Sequence, residues 1–407
     1  MKRNDLWGSG LSPFFQPEDF LPSHPSVKED LETEILIVGG GISGFLCAYE
    51  LIKSGKSVTL VTENTVGDGA SRFCTGILSP DGGPDLLQLQ QRIGWSSAAS
   101  WFRFALAAPE QMEKIVGDTG SKCDFQRQDQ FYYTASQRDV ADLREEYRFR
   151  RHTGADCRFL EEAECRDLFS FPCAGGIMTR GGARFNAVKF CRDLADWVTL
   201  RGGSVYEGSR VDSIEFGADG KFLCRCGSFS IRADRVIDAR GGDVLAKRPG
   251  LGQRITVFSL VTEPISVFRG WPEQCLIKSR DTFSYLRTTP DRRIVFSGEA
   301  SSALSPGGKV GRWDGQILCR VKYRNLEAEL QETFFGIPRI RREYAFSQGM
   351  VLPRKGLPYV GQDPQWKGLY YLYAFGEAGL AGALLGSAWI NRMICDPSAR
   401  IPGYLSL

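Results

Sequence analysis

Residues 35–44 read Ile-Leu-Ile-Val-Gly-Gly-Gly-Ile-Ser-Gly, and this stretch decides the fold. Ile35 to Val38 form a short apolar run of the kind a strand buried on both faces requires. Gly39, Gly41 and Gly44 then stand in the GxGxxG spacing. Phe45, Leu46, Tyr49 and Ile52 recur as one helical stripe, and Gly55 ends it. A second apolar run, Val58 to Val61, follows. Strand, glycine turn, helix and strand in that order predict a βαβ unit whose turn cradles a dinucleotide. Gly39 permits the tight turn, Gly41 lets the backbone approach a pyrophosphate, and Gly44 lets the helix pack closely on the strand. The helix N-terminus adds unpaired N–H groups and about half a positive charge. A purely structural glycine turn is the plain alternative.

The carboxylate that binds a ribose belongs at the end of the second strand, roughly twenty residues past the motif. Thr62 occupies that place and Glu63 follows it, so either could meet the ribose. No Lys or Arg stands there, and nothing suggests a 2′-phosphate.

A chain of 407 residues can bury a large core, and two structural units are expected. Its 24% charged residues nearly balance, at net +3, which is too mild to argue for nucleic acid. Twelve cysteines follow no regular framework and no signal-peptide pattern opens the chain, so reduced thiols in the cytoplasm are expected. Cys224 and Cys226, in an expected strand, read as structural. Two histidines, His24 and His152, make a His-rich metal site or a His-based triad improbable, and no metal is expected. No apolar run reaches the length of a membrane span; Leu369 to Ile394 comes nearest but is broken by glycines and Glu377.

Residues 1–32, with Trp7, Pro13, Pro17, Pro22 and Pro25, read as an irregular arm laid over the first unit. Helical patterns are expected at 85–117, 136–150 and 186–201, the last opened by Asn186 and stopped by Gly202-Gly203. Strands are expected at 126–134, 204–206, 210–216, 222–226 and 231–239. Phe283 to Gly298 reads as a hairpin turning at Pro290-Asp291. A helix follows at 313–335, a strand at 369–375, and a last helix at 379–394.

Taken in order, these landmarks resemble the D-amino-acid-oxidase-like family of FAD-dependent oxidoreductases, over nearly the whole chain. Its glycine and sarcosine oxidase and gamma-glutamylputrescine oxidoreductase branches are the most similar. Glu34 to Gly44 resembles the family's first strand and phosphate loop, and Gly69-Ala70-Ser71 its Gly-Ala-Ser turn. Gly182 to Asn186 resembles its glycine segment before a helix, with Ala187 in place of the frequent Pro. Arg235 to Gly242 looks like its Val-rich strand ending in glycine, and Tyr285 to Glu299 like its substrate-domain hairpin. Gly356-Leu-Pro-Tyr-Val-Gly361 and Leu369 to Gly386 resemble the segment that closes on the flavin.

The resemblance implies an α/β fold, α+β overall. A Rossmann-like FAD-binding domain of the glutathione-reductase type would carry an inserted antiparallel-sheet substrate domain. The FAD domain would gather residues 33–84, 170–245 and 340–394, and the substrate domain 85–169 and 246–339, with a tail at 395–407. It also implies cofactor contacts. Gly39, Gly41, Ile42, Ser43 and Gly44 would cradle the pyrophosphate, and Thr62 or Glu63 would meet the ribose. Ala70, Ser71 and Arg72 would continue around the phosphates, and Thr75, Gly76 and Ile77 would pass along the isoalloxazine. Val211 would pair its backbone with the adenine, and Gly241 would lie near the phosphate crossing. Gly376, Glu377, Ala378 and Gly379 would bring a helix N-terminus to the flavin N1–C2=O edge, where reduced flavin carries negative charge. Cys74, in the loop that should pass the flavin, reads as a packing residue.

The flavin accepts the hydride in such enzymes, and the protein supplies position and field. A strong side-chain base is not obligatory, so the scarcity of His is no objection. Substrate recognition is where the chain departs from the family. Many members hold a substrate carboxylate with an Arg ahead of the Gly-Leu-Pro segment. Met350 stands there by spacing, and Lys355 replaces the family's Asp. Tyr285 and Arg287, two apart in an expected strand, are the expected substrate anchors, with Arg354 a further candidate. The expected reaction is dehydrogenation of the C–N bond of an amine or N-substituted amino acid, with electrons passing to O₂ or a carrier. A flavin dehydrogenase of a 2-hydroxy acid or polyol is one alternative. A flavoprotein whose FAD is structural is another.

Overall fold

The computed structural model describes residues 8–11, 14, 21–241, 250–282, 284–301, 313–337, 339–374 and 376–407. Trp7, Pro13, Pro17, Gly242, Phe283 and Phe375, all part of expected features, lie outside them.

Two sheets carry the molecule, and the first grows from the stretch 35–44. Leu31–Val38 pairs in parallel with Val58–Val61 on one side and Phe229–Asp238 on the other. Leu369–Tyr373 and Ser204–Tyr206 extend the parallel array outward. Ile35, Leu36 and Ile37 are fully buried, because helices cover one face and a three-stranded antiparallel layer the other. The helices are Ile42–Lys53, Ala187–Leu200 and Gly379–Cys395. The antiparallel layer adds Ser213–Phe216 and Phe222–Cys226 to the end of Phe229–Asp238. Cys224 and Cys226 pack into this layer's core. The described part of the arm is pinned by buried Glu207, whose carboxylate accepts from the backbone N–H groups of Ser23 and His24.

The second sheet is larger and mostly antiparallel. Its strands run in the order 8–11, 342–353, 252–262, 294–301, 284–288, 275–279, 126–134, 175–184 and 77–78, with 157–161 also paired to 175–184. Adjacent rungs of this sheet differ in kind. Met178, Phe131, Ile277, Leu286, Phe296, Leu260 and Ala345 lie side by side across seven strands. They pack with Leu326 and Leu330 of the helix Trp313–Thr333. The next rung, on the opposite face, reads Ile177, Tyr132, Lys278, Tyr285, Ser297, Ser259 and Phe346. Lys278, Ser297 and Ser259 are nonetheless buried. One face is thus an ordinary core, while the other carries polar groups that folding alone does not require.

The expected elements need several corrections. The helix expected over 85–117 is two, Leu86–Ile93 and Trp95–Thr119, because Gly94 takes a φ of 79° between them. The strand expected from 210 starts at Ser213, so Val211 precedes it. Strands at 157–161, 175–184, 252–262 and 342–353 were not individually expected. Gly175–Arg184 holds four glycines. The glycines are there for close approach, since a Cβ on Gly176 would lie 2.2 Å from the Phe131 ring. The sheets also cross the expected segment borders. Gly175–Arg184 and Arg342–Pro353, grouped with the nucleotide half, pair in the large sheet.

Candidate functional site

The glycine turn sits at the carboxyl ends of the parallel strands, where open α/β sheets bind ligands. Gly39 takes a φ of 127°, and a Cβ there would press 2.8 Å from Ala239 O. A Cβ on Gly44 would fall 1.9 Å from Gly39 O, which makes that glycine obligatory for the turn. A Cβ on Gly41 would meet only Ser71 Oγ, at 3.0 Å. The helix Ile42–Lys53 has no side-chain cap, and its first bond runs from the Phe45 N–H to Gly41 O. Ile42 N donates to Ser71 Oγ at 3.1 Å, while the N–H groups of Ser43 and Gly44 stay outside the intrahelical ladder. This open cradle with donors at a helix end fits a pyrophosphate.

The flanking residues fall around the same end. Thr62 is buried, and a Cβ on Gly40 would lie 2.6 Å from its Cβ. Glu63 is exposed and 3.4 Å from Arg210. Ala70 to Phe73 form a short 3₁₀ turn, with Ser71 and Arg72 buried and Arg72 Nη1 3.8 Å from Asp68. Val211 O accepts from Arg240 Nη1 at 3.2 Å, and Arg240 also grips Asp238 through two bonds of 2.9 Å. Gly241 turns there with a φ of 66°.

The loop after the 3₁₀ turn crosses to the large sheet. Gly76 has a φ of 68°, its carbonyl accepts from Phe185 N at 3.0 Å, and Ile77 pairs with Arg184. Cys74 Sγ accepts from Gly76 N at 3.4 Å, and burial pushes its thiol up, away from the thiolate form. The chain then turns at Asp81, Gly82 and Gly83, and a Cβ on Gly83 would lie 2.8 Å from Glu377 Cβ. The polar rung of the sheet therefore faces two loops, 75–83 and 376–379.

Lys278 is the centre of that meeting. Its Nζ lies 3.2 Å from Asp81 Oδ2, donates to Gly83 O at 2.5 Å, and stands 3.6 Å from Glu377 Oε2. The Tyr132 and Tyr285 rings flank it at 5.0 and 5.6 Å. Asp81 is fully buried and accepts further bonds from Ser79, Gln130 and the Gly83 N–H. Arg150, also fully buried, lies 3.4 Å from Asp81 and 2.7 Å from Glu146. Burial alone would raise the Asp81 carboxyl, but Lys278 and Arg150 outweigh it and hold it down to about 2.

Glu377 completes the group just ahead of the helix Gly379–Cys395. Tyr285 donates to its Oε2 at 2.5 Å. Burial pushes the Glu377 carboxyl upward against the opposing pull of Lys278. Arg287 shares the strand face of Tyr285 but not its surroundings. Its Nε donates to Thr75 O, Nη1 donates to Thr288 O at 3.2 Å, and the Phe14 ring covers the guanidinium at 4.8 Å. Burial, helped by the like charge of Arg184, lowers it to about 9. Of the two expected anchors, Tyr285 therefore joins Glu377, while Arg287 ties the Thr75–Gly76 loop to the sheet.

Arg354 is exposed, and Lys355 reaches Ser406 O at 3.0 Å, so neither enters this group. Lys278 and Asp81 were not singled out from sequence. One signal was available: Lys278 is the lone charge in the run Cys275-Leu-Ile-Lys-Ser279, every residue of which is buried. A cavity of about 780 Å³ opens elsewhere, between Arg127, Gln128, Arg158 and Arg180, and is lined by none of Asp81, Lys278, Tyr285 and Glu377. Among the described residues no helix is long and apolar enough to cross a membrane.

Comparison with known proteins shows the family. The family described as "FAD dependent oxidoreductase" matches residues 34–393, nearly the whole chain. The chain belongs to this family of FAD-dependent oxidoreductases. It is 21% identical to the gamma-glutamylputrescine oxidoreductase of Escherichia coli (strain K12) over 392 residues, which is 94% of this chain and 88% of that protein. Glycine oxidase of Geobacillus kaustophilus is 22% identical over 348 residues, 83% of this chain and 86% of the other. A crystal structure of glycine oxidase from that species superposes with a TM-score of 0.75 at 18% identity, covering 93% of this chain and 98% of the other. A Bacillus subtilis (strain 168) protein named for a Rieske 2Fe-2S centre is 26% identical over 199 residues. There the match covers 48% of this chain and only 38% of that protein's length. As a family member the chain is a flavin enzyme, and its fold is the family's mixture of parallel and antiparallel sheets.

Proposed function

We propose that this FAD-dependent oxidoreductase dehydrogenates the C–N bond of an amine or an N-substituted amino acid. One observation carries the reading. The buried polar rung of the large sheet, with Lys278 and Tyr285, meets Glu377 beside the loop that leaves the nucleotide turn. Relatives named for glycine and for gamma-glutamylputrescine support the amine class.

In this reading Gly39, Gly41, Ile42, Ser43 and Gly44 hold the FAD pyrophosphate. Glu63 takes the ribose, since Thr62 is covered by Gly40. Ala70, Ser71 and Arg72 flank the phosphates, Val211 lies by the adenine and Gly241 by the phosphate crossing. Thr75, Gly76 and Ile77 lie along the ring system, with Gly376, Glu377, Ala378 and Gly379 at its far edge. Bound FAD supplies the hydride acceptor. The chain's own groups orient the amine, exclude water and set its protonation. Tyr285 and Glu377 face the substrate, and Lys278 and Asp81 fix Glu377 in place. Arg287 acts indirectly, by holding the Thr75 carbonyl.

The test is product analysis of the FAD-loaded protein with amines, N-methyl amino acids and 2-hydroxy acids, with O₂ or a dye as acceptor. A carbonyl product together with released amine or ammonia is expected from the nitrogen compounds only. Turnover of 2-hydroxy acids alone would replace the proposal with the hydroxy-acid reading.

A further inference from the structure

The proposed reaction needs a neutral amine, because a protonated nitrogen has no lone pair to assist loss of hydride from the adjacent carbon. Simple alkylamines arrive protonated near pH 7. A group that receives the cation and takes its proton would supply the neutral form at that pH. His24 and His152 are the only histidines, and both lie outside the group around Lys278.

The described charges around Lys278 do not balance. The cations Lys278, Arg150 and Arg280 face the anions Asp81, Asp85, Glu146 and Glu377. Arg150 and Lys278 satisfy Asp81, Arg150 also satisfies Glu146, and Arg280 lies 2.7 Å from Asp85. Glu377 is left with the weakest partner, Lys278 at 3.6 Å. Among the described residues its contacts with Tyr285 and Lys278 both fall on Oε2, which leaves Oε1 for a ligand. Its side chain is 20% exposed, whereas that of Asp81 is wholly enclosed. The guanidinium of Arg287, on the same strand face as Tyr285, is committed to Thr75 O and Thr288 O.

We propose that Glu377 is the catalytic residue that pairs with the substrate's ammonium group and takes its proton, and that Lys278 is the positioning residue that holds Glu377 ready. This rests on the amine-oxidising reading above. In the step, one N–H bond of the ammonium breaks and an O–H bond forms on the Glu377 carboxylate. The electron pair of the broken bond stays on nitrogen, and no oxidant is consumed. Tyr285 keeps Oε2 in a hydrogen bond, so the proton goes to Oε1. Burial already raises the Glu377 carboxyl, which brings it toward the range of a working base. The groups that face it are Lys278, Tyr285, Asp81 and Asp85, and of these only Lys278 is a cation.

The test uses the FAD-loaded enzyme without O₂ and propylamine as probe. Binding is read from the flavin difference spectrum, and reduction from bleaching, across pH 5.5–9.5. Wild type should show an acid limb in its reduction rate. Glu377→Gln, which keeps the shape, should bind propylamine at least tenfold more weakly and shift that limb upward, toward the ionisation of the amine itself, while retaining its FAD. Lys278→Met should move the limb to higher pH, because the cation that favours the carboxylate is gone, and Lys278→Arg should restore it. A Glu377→Gln enzyme with unchanged propylamine binding and an unchanged limb overturns the proposal. So does a wild type that propylamine leaves unperturbed. Failure of the underlying reading looks different: a wild type that takes up no FAD, or one bleached by lactate and by no amine, and the proposal falls with it.

Discussion

Tyr285 and Glu377 stand 92 residues apart in sequence, yet the phenol of one donates to the carboxylate Oε2 of the other at 2.5 Å. The bond joins the large sheet to the segment that opens the last helix of the nucleotide half. It exists because Tyr285 projects from the polar face of a strand whose neighbour Leu286 is committed to the opposite core.

Tyr285→Phe removes that donor and keeps the ring beside Lys278. A hydrogen bond to a charged group contributes about 1.5–3 kcal/mol. Flavin reduction by an amine that bleaches the wild type should therefore slow by about tenfold to a hundredfold. Rapid-mixing absorbance measures it, and an unchanged rate would remove the pair from the chemistry.

The Lys278–Asp81 contact should be a strong structural constraint as well. Removing one partner of a buried ion pair costs about 3–5 kcal/mol, because the other charge stays buried. Asp81→Asn and Lys278→Met should each lower the stability measured by denaturant titration by about that amount. The double variant should lose less than their sum, since it leaves no orphan at this contact. Additive losses would mean that the two charges do not interact.

Asp81 also sets an acid dependence. Despite burial, Lys278 and Arg150 bring its carboxyl from 3.8 to about 2. A folded-state value below the unfolded one gives stability that is present above the unfolded value and lost as pH falls through the folded one. Tm should thus drop between pH 3.8 and about 2, and Asp81→Asn should flatten that part of the curve. Equal slopes in both proteins would contradict the assignment.

The nucleotide turn makes its own prediction. A Cβ at Gly44 would collide with Gly39 O at 1.9 Å, and that backbone has no free space to move into. Gly44→Ala should be purified with less than about a tenth of the flavin of wild type, by the ratio of absorbance near 450 nm to that near 280 nm. Ser71→Ala loses an acceptor for Ile42 N–H, worth about 1 kcal/mol, and should weaken FAD binding about fivefold. Full flavin retention by Gly44→Ala would contradict the account of the turn.

The nucleotide half was legible because its signals are local. Val38, Gly39, Gly41 and Gly44 fall within seven residues, and the helix and strand they predict appear at Ile42–Lys53 and Val58–Val61. Asn186 caps its helix as read, accepting from Val188 N and Lys189 N at 3.1 Å. The large sheet was harder because its partners are distant and its glycines serve close packing, as at Gly176. The group around Lys278 was harder still. A charged side chain inside an apolar run has meaning only once its partners are known, and Asp81 lies 197 residues away. Arg287 shows the reverse case. Alternation placed it correctly on the Tyr285 face, but the carbonyls of Thr75 and Thr288 and the Phe14 ring, which claim its guanidinium, leave no trace in local sequence.

The central claim is that a flavin held by the glycine turn takes electrons from an amine in front of Glu377. Its most direct test is the absorbance spectrum of the purified protein, before and after amines, N-methyl amino acids and 2-hydroxy acids are added without O₂. The account predicts flavin bands near about 370 and 450 nm that one or more of the amine-type compounds bleaches and no 2-hydroxy acid does. A colourless protein that fails to take up added FAD, or a flavin that none of these amines reduces, would contradict it.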